Sequence, residues 1–290
     1  MIHLLSSWST FPAWALMWGL SFGIYAVLKG LSWWARPIES ANPPRAASPV
    51  RVPAWKHWAY LFAWPGMNAA EFLGGRGAVV KQPTPTEWSF AVTKLAIGVG
   101  LLWIIVPAMT GMTDIDDYFV GCVGMVGIVL TLHFGLFHLL SCGWRRAGVA
   151  AVPIMNWPVA SQSLTEFWGR RWNLAFRDLT HRFLFHPLVR RLGPTGALLA
   201  GFLVSGLVHD LVISWPAGGG WGLPTGYFVL QGAGIVVERS RWGRGIGLGR
   251  GLTGRLYCLV LIGLSSPLLF HPVFLGRVIL PFLAAIGAAP

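Results

Sequence analysis

Apolar runs of near-spanning length recur along the chain, separated by stretches in which polar and charged residues gather. A helix needs about 20 residues to cross the hydrocarbon core of a bilayer. On that measure the pattern predicts spans near 11–30, 88–110, 118–140, 195–215, 223–238 and 256–272. Shorter runs at 148–160 and 274–289 are weaker candidates. The expected fold class is therefore all-α: a multi-pass integral membrane protein with about 7–8 transmembrane helices plus interfacial or re-entrant helices. No basic region precedes the first run and no clear small-residue cleavage site follows it, so it is expected to be a span, not a cleaved leader. No soluble domain fits between the runs, and residues 1–290 are expected to form a single membrane-embedded domain.

Between 163 and 192 the pattern changes. Ser163-Leu164-Thr165-Glu166 has the form of a capping box, with Ser163 as N-cap and Glu166 at the third helical position. The helix it would open runs towards Pro187. Trp168, Trp172, Ala175, Leu179 and Phe183 recur at spacings of three or four, an apolar stripe. Glu166, Arg170, Asn173 and Arg177 share another face. The segment 163–192 reads as a basic amphipathic helix lying at the cytoplasmic interface.

Composition sharpens this picture. The chain is 54% hydrophobic and 11% charged, against about 25% charged residues in an ordinary globular domain. That deficit excludes disorder, a coiled coil and a polar nucleic-acid module, and no nucleic-acid partner is expected. Three cysteines in apolar surroundings cannot form a disulfide framework. The formal net charge is nevertheless +12, and its placement is one-sided. Residues 29–57 hold five basic residues and Glu39, residues 163–192 hold six Arg, and residues 239–255 hold five Arg with no acid. The loop at 111–117 carries Asp114, Asp116 and Asp117, and the loop at 216–222 carries no charge. The positive-inside rule puts the three basic stretches in the cytoplasm and the other two loops outside. The Arg239–Arg255 tract is read as a contact for anionic lipid and a topology determinant.

Ionisable groups inside spans are functional candidates by default. His209-Asp210 lies within an apolar helix, with Ser205 and Gly201 at successive turns on the His209 face. A neutral imidazole in such a helix suits a general base acting on a hydroxyl; a buried histidine bonded to a neighbouring helix's backbone is an equal alternative. His133 and His138 are five apart, as are His181 and His186, which is poor spacing for ligands on one helical face. No metal site is expected. Lys94, near a span end, is expected to snorkel.

Three motifs then point one way. The run Ser163-Leu-Thr-Glu-Phe-Trp-Gly-Arg-Arg-Trp-Asn173 resembles the signature of the wax synthase branch of the membrane-bound O-acyltransferases. Ser205-Gly206-Leu207-Val208-His209-Asp210 resembles that family's histidine motif, and Trp64-Pro65-Gly66-Met67 looks like a third element. The resemblance is clearest over 60–240. The chain is shorter than most members of the wider superfamily.

The resemblance implies transfer of a fatty acyl group from acyl-CoA, as co-substrate with no further cofactor, to the hydroxyl of a hydrophobic alcohol, as in wax-ester synthesis. It implies His209 as catalytic base and Asn173 as its companion. Arg170 and Arg171 could hold CoA phosphates through their guanidinium forks or meet lipid headgroups. Trp172 and Ser205 complete the expected substrate-binding set, although Phe167, Trp168 and Trp172 also suit interfacial anchoring. Asp210 is expected only to support His209 or a neighbouring helix. The competing reading is a transporter or lipid-binding membrane protein with His209, Asp210 and His133 lining a pathway. Abundant Gly and Ala, with 18 Arg against 4 Lys, suggest a bacterial cell membrane as the location.

Overall fold

The computed structural model describes residues 11–35, 52–74, 80–112 and 114–289. Arg36, Glu39, Arg45 and Arg51 of the first basic stretch lie outside the described residues. Among those described, every regular element is a helix. This is what a bilayer demands of a spanning chain, because a helix satisfies its own backbone N–H and C=O groups where no water can.

Five helices are long and apolar enough to cross a membrane: α1 (Ala13–Trp34), α3 (Pro85–Thr110), α4 (Asp117–Arg146), α5 (Leu174–Ala217) and α7 (Gly251–Leu269). Between α1 and α3 lies α2 (Ala54–Ala63), and between α5 and α7 lies α6 (Leu223–Arg239), of 17 residues. The short apolar helix α8 (Pro272–Ala285) follows α7. All six stronger runs of the sequence are thus helical, and so is 274–289 over most of its length. The run at 148–160 is not: its one helical element is the turn Pro158–Ala160. The protein is an all-α, multi-pass integral membrane protein.

Local chemistry sets the helix starts. Thr84 caps α3 by accepting from the Glu87 N–H at 3.2 Å, with Pro85 at the first position. Asp116 caps α4 through the Tyr118 N–H at 2.7 Å. Packing between spans relies on small residues. Gly121 and Gly124 of α4 face Leu275 and Leu283 of α8, while Gly127 and Gly135 face Leu102 and Leu95 of α3, with no room for a Cβ. α3 and α4 make the most extensive contact between helices, followed by α5 with α6.

Three apolar clusters result. One joins α1, α3, α4, the end of α5 and α8 around Leu102, Val120, Ile213 and Leu275. A second joins α2 and the 64–73 segment to 149–154 through Tyr60, Trp64, Phe72 and Ala151. Lys29 is buried there, donating to the carbonyls of Trp64, at 2.7 Å, and of Gly66, so α1 pins the Trp64-Pro65-Gly66-Met67 loop. The third cluster, Leu164, Phe167, Ile235 and Cys258, backs the site described next.

Candidate active site

The Ser163 cap forms as its spacing predicts, with the return bond from Glu166 falling one residue before the N-cap. The Ser163 hydroxyl accepts from the Glu166 N–H at 2.9 Å, and Glu166 reaches back to accept from the Gln162 N–H at 2.8 Å. A remote residue completes the cap: the buried carboxylate of Glu238, near the end of α6, accepts from the N–H groups of Leu164 (2.6 Å) and Thr165 (3.3 Å). The first N–H groups of a helix lack partners within it. Glu238 meets that need and ties the 163–173 segment to α6. Nothing local in the sequence singles it out.

The continuous amphipathic helix expected from Ser163 to Pro187 does not form. After a wide turn at Phe167–Arg171, Trp172 is extended and Asn173 turns left-handed, at φ 41° and ψ 61°. Asparagine is among the few residues that adopt this conformation readily. The 154–156 strand of loop then bonds to both sides of the break. Asn156 N–H donates to the Arg171 carbonyl at 2.8 Å, and Leu174 N–H donates to the Ile154 carbonyl at 2.9 Å. The four polar residues Glu166, Arg170, Asn173 and Arg177 therefore do not share a helical face.

The break gives Asn173 a special position. Its Oδ1 accepts from the Phe176 N–H at 3.3 Å, capping the first turn of α5. That acceptor role fixes which end of the amide is oxygen, and the Nδ2 group makes no hydrogen bond among the described residues. Asn173 lines a cavity of about 620 Å³, within the usual range for small-molecule sites of about 300–1,000 Å³.

His209 lines the same cavity. Its Nδ1 lies 2.7 Å from the carbonyl oxygen of Ser205. A carbonyl only accepts, so Nδ1 carries the proton and the neutral ring keeps its lone pair on Nε2. The Phe228 ring of α6 lies against it, tilted by 40°, with 4.3 Å between ring centroids. Trp168, Trp172, Phe176 and Phe202 supply an apolar wall, and Ala197, Gly201 and Ser205 give α5 a slim face along it. Arg177, Asp178, His181 and Arg239 make the lining polar elsewhere. Arg177 pairs with Asp178 and donates to the Gly169 carbonyl at 2.8 Å, and Arg239 Nε donates to Thr165 Oγ1 at 3.2 Å.

The cavity thus brings together His209, Asn173, Trp172 and Ser205 of the residues singled out from the sequence. It does not include Arg170 or Arg171. Arg170 is exposed. Arg171 is held by Glu166 at 2.6 Å, and it donates to the carbonyls of Asn156 (3.3 Å) and Trp157 (3.2 Å). Its fork braces the turn that presents Trp172 and Asn173. Asp210 also lies outside the cavity, bonded to Ser214, Gly222 and Thr225. Missed by sequence reasoning were Phe176, Phe228 and Arg239, which nothing in local spacing distinguishes from packing or surface residues.

One group away from the cavity has donor atoms close enough for a metal, Glu87, His138 and Cys142, within 4.8 Å of one another. Cations already occupy it. Arg145 pairs with Glu87, and Lys94 Nζ lies 2.8 Å from His138 Nδ1. The lysine expected to snorkel is thus hydrogen-bonded to a neighbouring span.

Residues 151–230, which carry most of this cavity, match the profile of the membrane bound O-acyl transferase family. The chain is 38% identical over 178 residues to a probable long-chain-alcohol O-fatty-acyltransferase 1 of Arabidopsis thaliana, covering 56% of this chain and 49% of that protein. It is 37% identical over 101 residues to a long-chain-alcohol O-fatty-acyltransferase of Simmondsia chinensis, covering 31% and 28%. An acyl-CoA–sterol O-acyltransferase 1 of Arabidopsis thaliana is 39% identical over 103 residues, 29% of each chain. The aligned portions span about half or less of these relatives' own lengths. The segment that builds the cavity is of the wax synthase-like membrane-bound O-acyltransferase type.

Proposed function

We propose, from this kinship of residues 151–230, that the protein is an acyl-CoA-dependent O-acyltransferase that esterifies a hydrophobic alcohol. The observation that carries the reading is the convergence of His209 and Asn173 on one cavity with apolar walls. His209 Nε2 removes the proton from the alcohol as its oxygen attacks the thioester carbonyl. The new C–O bond forms, the C–S bond breaks, and the departing thiolate takes the proton back from the imidazolium. Base catalysis of this kind contributes about 10²–10⁴-fold. The Nδ2 group of Asn173 donates to the carbonyl oxygen as negative charge develops there. Trp172 and Ser205 shape the chamber. The exposed Arg170 and the lining residues Arg177 and Arg239 offer guanidinium groups to the phosphates of the acyl carrier.

The basic stretches lie on the cytoplasmic side, which puts the acyl-CoA head there and leaves the alcohol to enter from the membrane. The plant relatives lend nothing to a bacterial cell membrane, and that placement rests on the Arg-rich, Gly- and Ala-rich composition. A transporter reading loses support from Asp210, whose carboxylate is bonded into the protein away from the cavity.

The test is direct. Purified protein is given labelled acyl-CoA and a panel of long-chain alcohols and sterols. Ester and free CoA should appear in equal amounts. Absence of ester with every acceptor, alongside intact folded protein, overturns the reading. A preference for sterols would move the acceptor to the class named for the sterol-acylating relative.

A further inference from the structure

The turn that follows His209 is built around one carboxylate. α5 widens at Asp210–Ser214 shortly before it ends at Ala217, and α6 begins at Leu223 with Gly222 as its N-cap. A glycine cap brings no side-chain acceptor, so the first N–H groups of α6 need a partner from elsewhere. Asp210 supplies it. Its Oδ1 accepts from the Gly222 N–H at 2.9 Å and from the Ser214 hydroxyl at 2.8 Å. Its Oδ2 accepts from the Thr225 N–H at 3.1 Å and from the Thr225 hydroxyl. The negative charge sits at the positive end of the α6 dipole, where it is favoured. On the other side of the loop, Gly220, at φ +77°, leaves room for the His271 imidazole.

The same grip sets how close α6 comes to His209. A Cβ at Gly206 would lie 2.6 Å from Thr225 Cα, so the two helices touch backbone to backbone at this level. One turn beyond Thr225, Phe228 presents its ring to His209. Trp168 and Tyr227 box Phe228 in, at 5.7 Å and 5.1 Å. The imidazole is therefore held at two points: by its own bond to Ser205, and by a phenyl ring whose helix is anchored through Thr225 to Asp210.

We propose that Asp210 is a positioning residue. It fixes the start of α6, and through Thr225 and Phe228 it sets the orientation of the His209 ring in the cavity. It touches no reacting atom. The kinetic part of the test rests on the acyltransferase reading; the chemical-modification part does not.

The decisive pair is Thr225→Val and Thr225→Ser in the full-length protein in membranes. Valine keeps the shape and the backbone N–H and removes one donor to Asp210, while serine keeps the hydroxyl. Thr225→Val should lower kcat about tenfold or more, as loss of a hydrogen bond to a charged group implies. KM for acyl-CoA and for alcohol should stay near wild type, and Thr225→Ser should restore kcat. In parallel, carbethoxylation of His209 by diethyl pyrocarbonate, read by mass spectrometry with exposed His186 as reference, should rise severalfold in Thr225→Val and return in Thr225→Ser. Asp210→Asn, which puts an amide N–H against these donors, should move both readouts further the same way. Unchanged His209 modification in Thr225→Val overturns the proposal, as does a loss of kcat that only tracks the amount of folded protein. A wild-type protein that makes no ester overturns the acyltransferase reading alone, and the modification rates still decide the positioning role.

Discussion

His209 donates from Nδ1 to the carbonyl oxygen of Ser205, one turn earlier on the same helix, at 2.7 Å. That bond consumes the ring's proton on the helix side and leaves Nε2 as the acceptor. The tautomer of the ring is therefore set by the span that carries it.

His209→Gln keeps a polar side chain of similar bulk but removes the basic nitrogen. Ester formation should fall by about 10²–10⁴-fold, while the amount of protein in the membrane is unchanged by immunoblot. Full activity in this variant would remove His209 from the mechanism.

The capping role of Asn173 and its proposed role as a donor separate chemically. Asn173→Asp keeps the acceptor that caps α5 and loses the Nδ2 donor; it should fold like wild type and lose turnover. Asn173→Ala loses both, and should additionally cost about 1 kcal/mol for the cap and about 1 kcal/mol or more for a left-handed alanine. Thermal melting in detergent beside turnover distinguishes the two. Equal melting losses in both variants would make Asn173 structural.

Glu238→Gln places an amide N–H among the donors of Leu164 and Thr165. The signature segment should then loosen from α6 at a cost of about 1–3 kcal/mol, measured as a lower melting temperature. Faster proteolysis between 163 and 173 should accompany it. A melting temperature equal to wild type would show that this tie is dispensable.

The Glu166–Arg171 brace outside the spans makes stability depend on pH. Burial by itself would raise the Glu166 carboxyl, but the Gln162 N–H and the Arg171 guanidinium outweigh it and hold it below the usual carboxylate range. A carboxyl depressed on folding stabilises above its unfolded pKa, and that gain disappears as pH falls through the folded value. The partly exposed pair is worth about 1 kcal/mol or less. Wild type should therefore melt slightly above Glu166→Gln at pH 7, and the gap should close on acidification below about pH 4. A gap that persists there would assign the effect to packing.

Some of the site was legible because its causes are local. The Ser163 cap requires only an acceptor and an N–H three residues apart, and it forms as spacing predicts. The place of His209 within a span followed from apolar neighbours on both sides. Arg171 shows the limit: beside Arg170 its guanidinium suits the phosphates of CoA or of lipid headgroups, and only the fold reveals that Glu166 and two carbonyls hold it. The five-residue interval between His133 and His138 argued against a shared role, and His138 instead bonds across to Glu87 and Lys94 of another helix.

The sequence by itself determined the membrane class and most of the helical elements, because hydropathy and capping are properties of neighbours along the chain. Only the tertiary structure decided the break at Trp172-Asn173, since it depends on loop residues Ile154 and Asn156 bonding to either side of it. It also decided the partnership of Asp210 with the start of α6 and of Phe228 with His209. Those relationships join residues that are distant in the chain, and no local period records them.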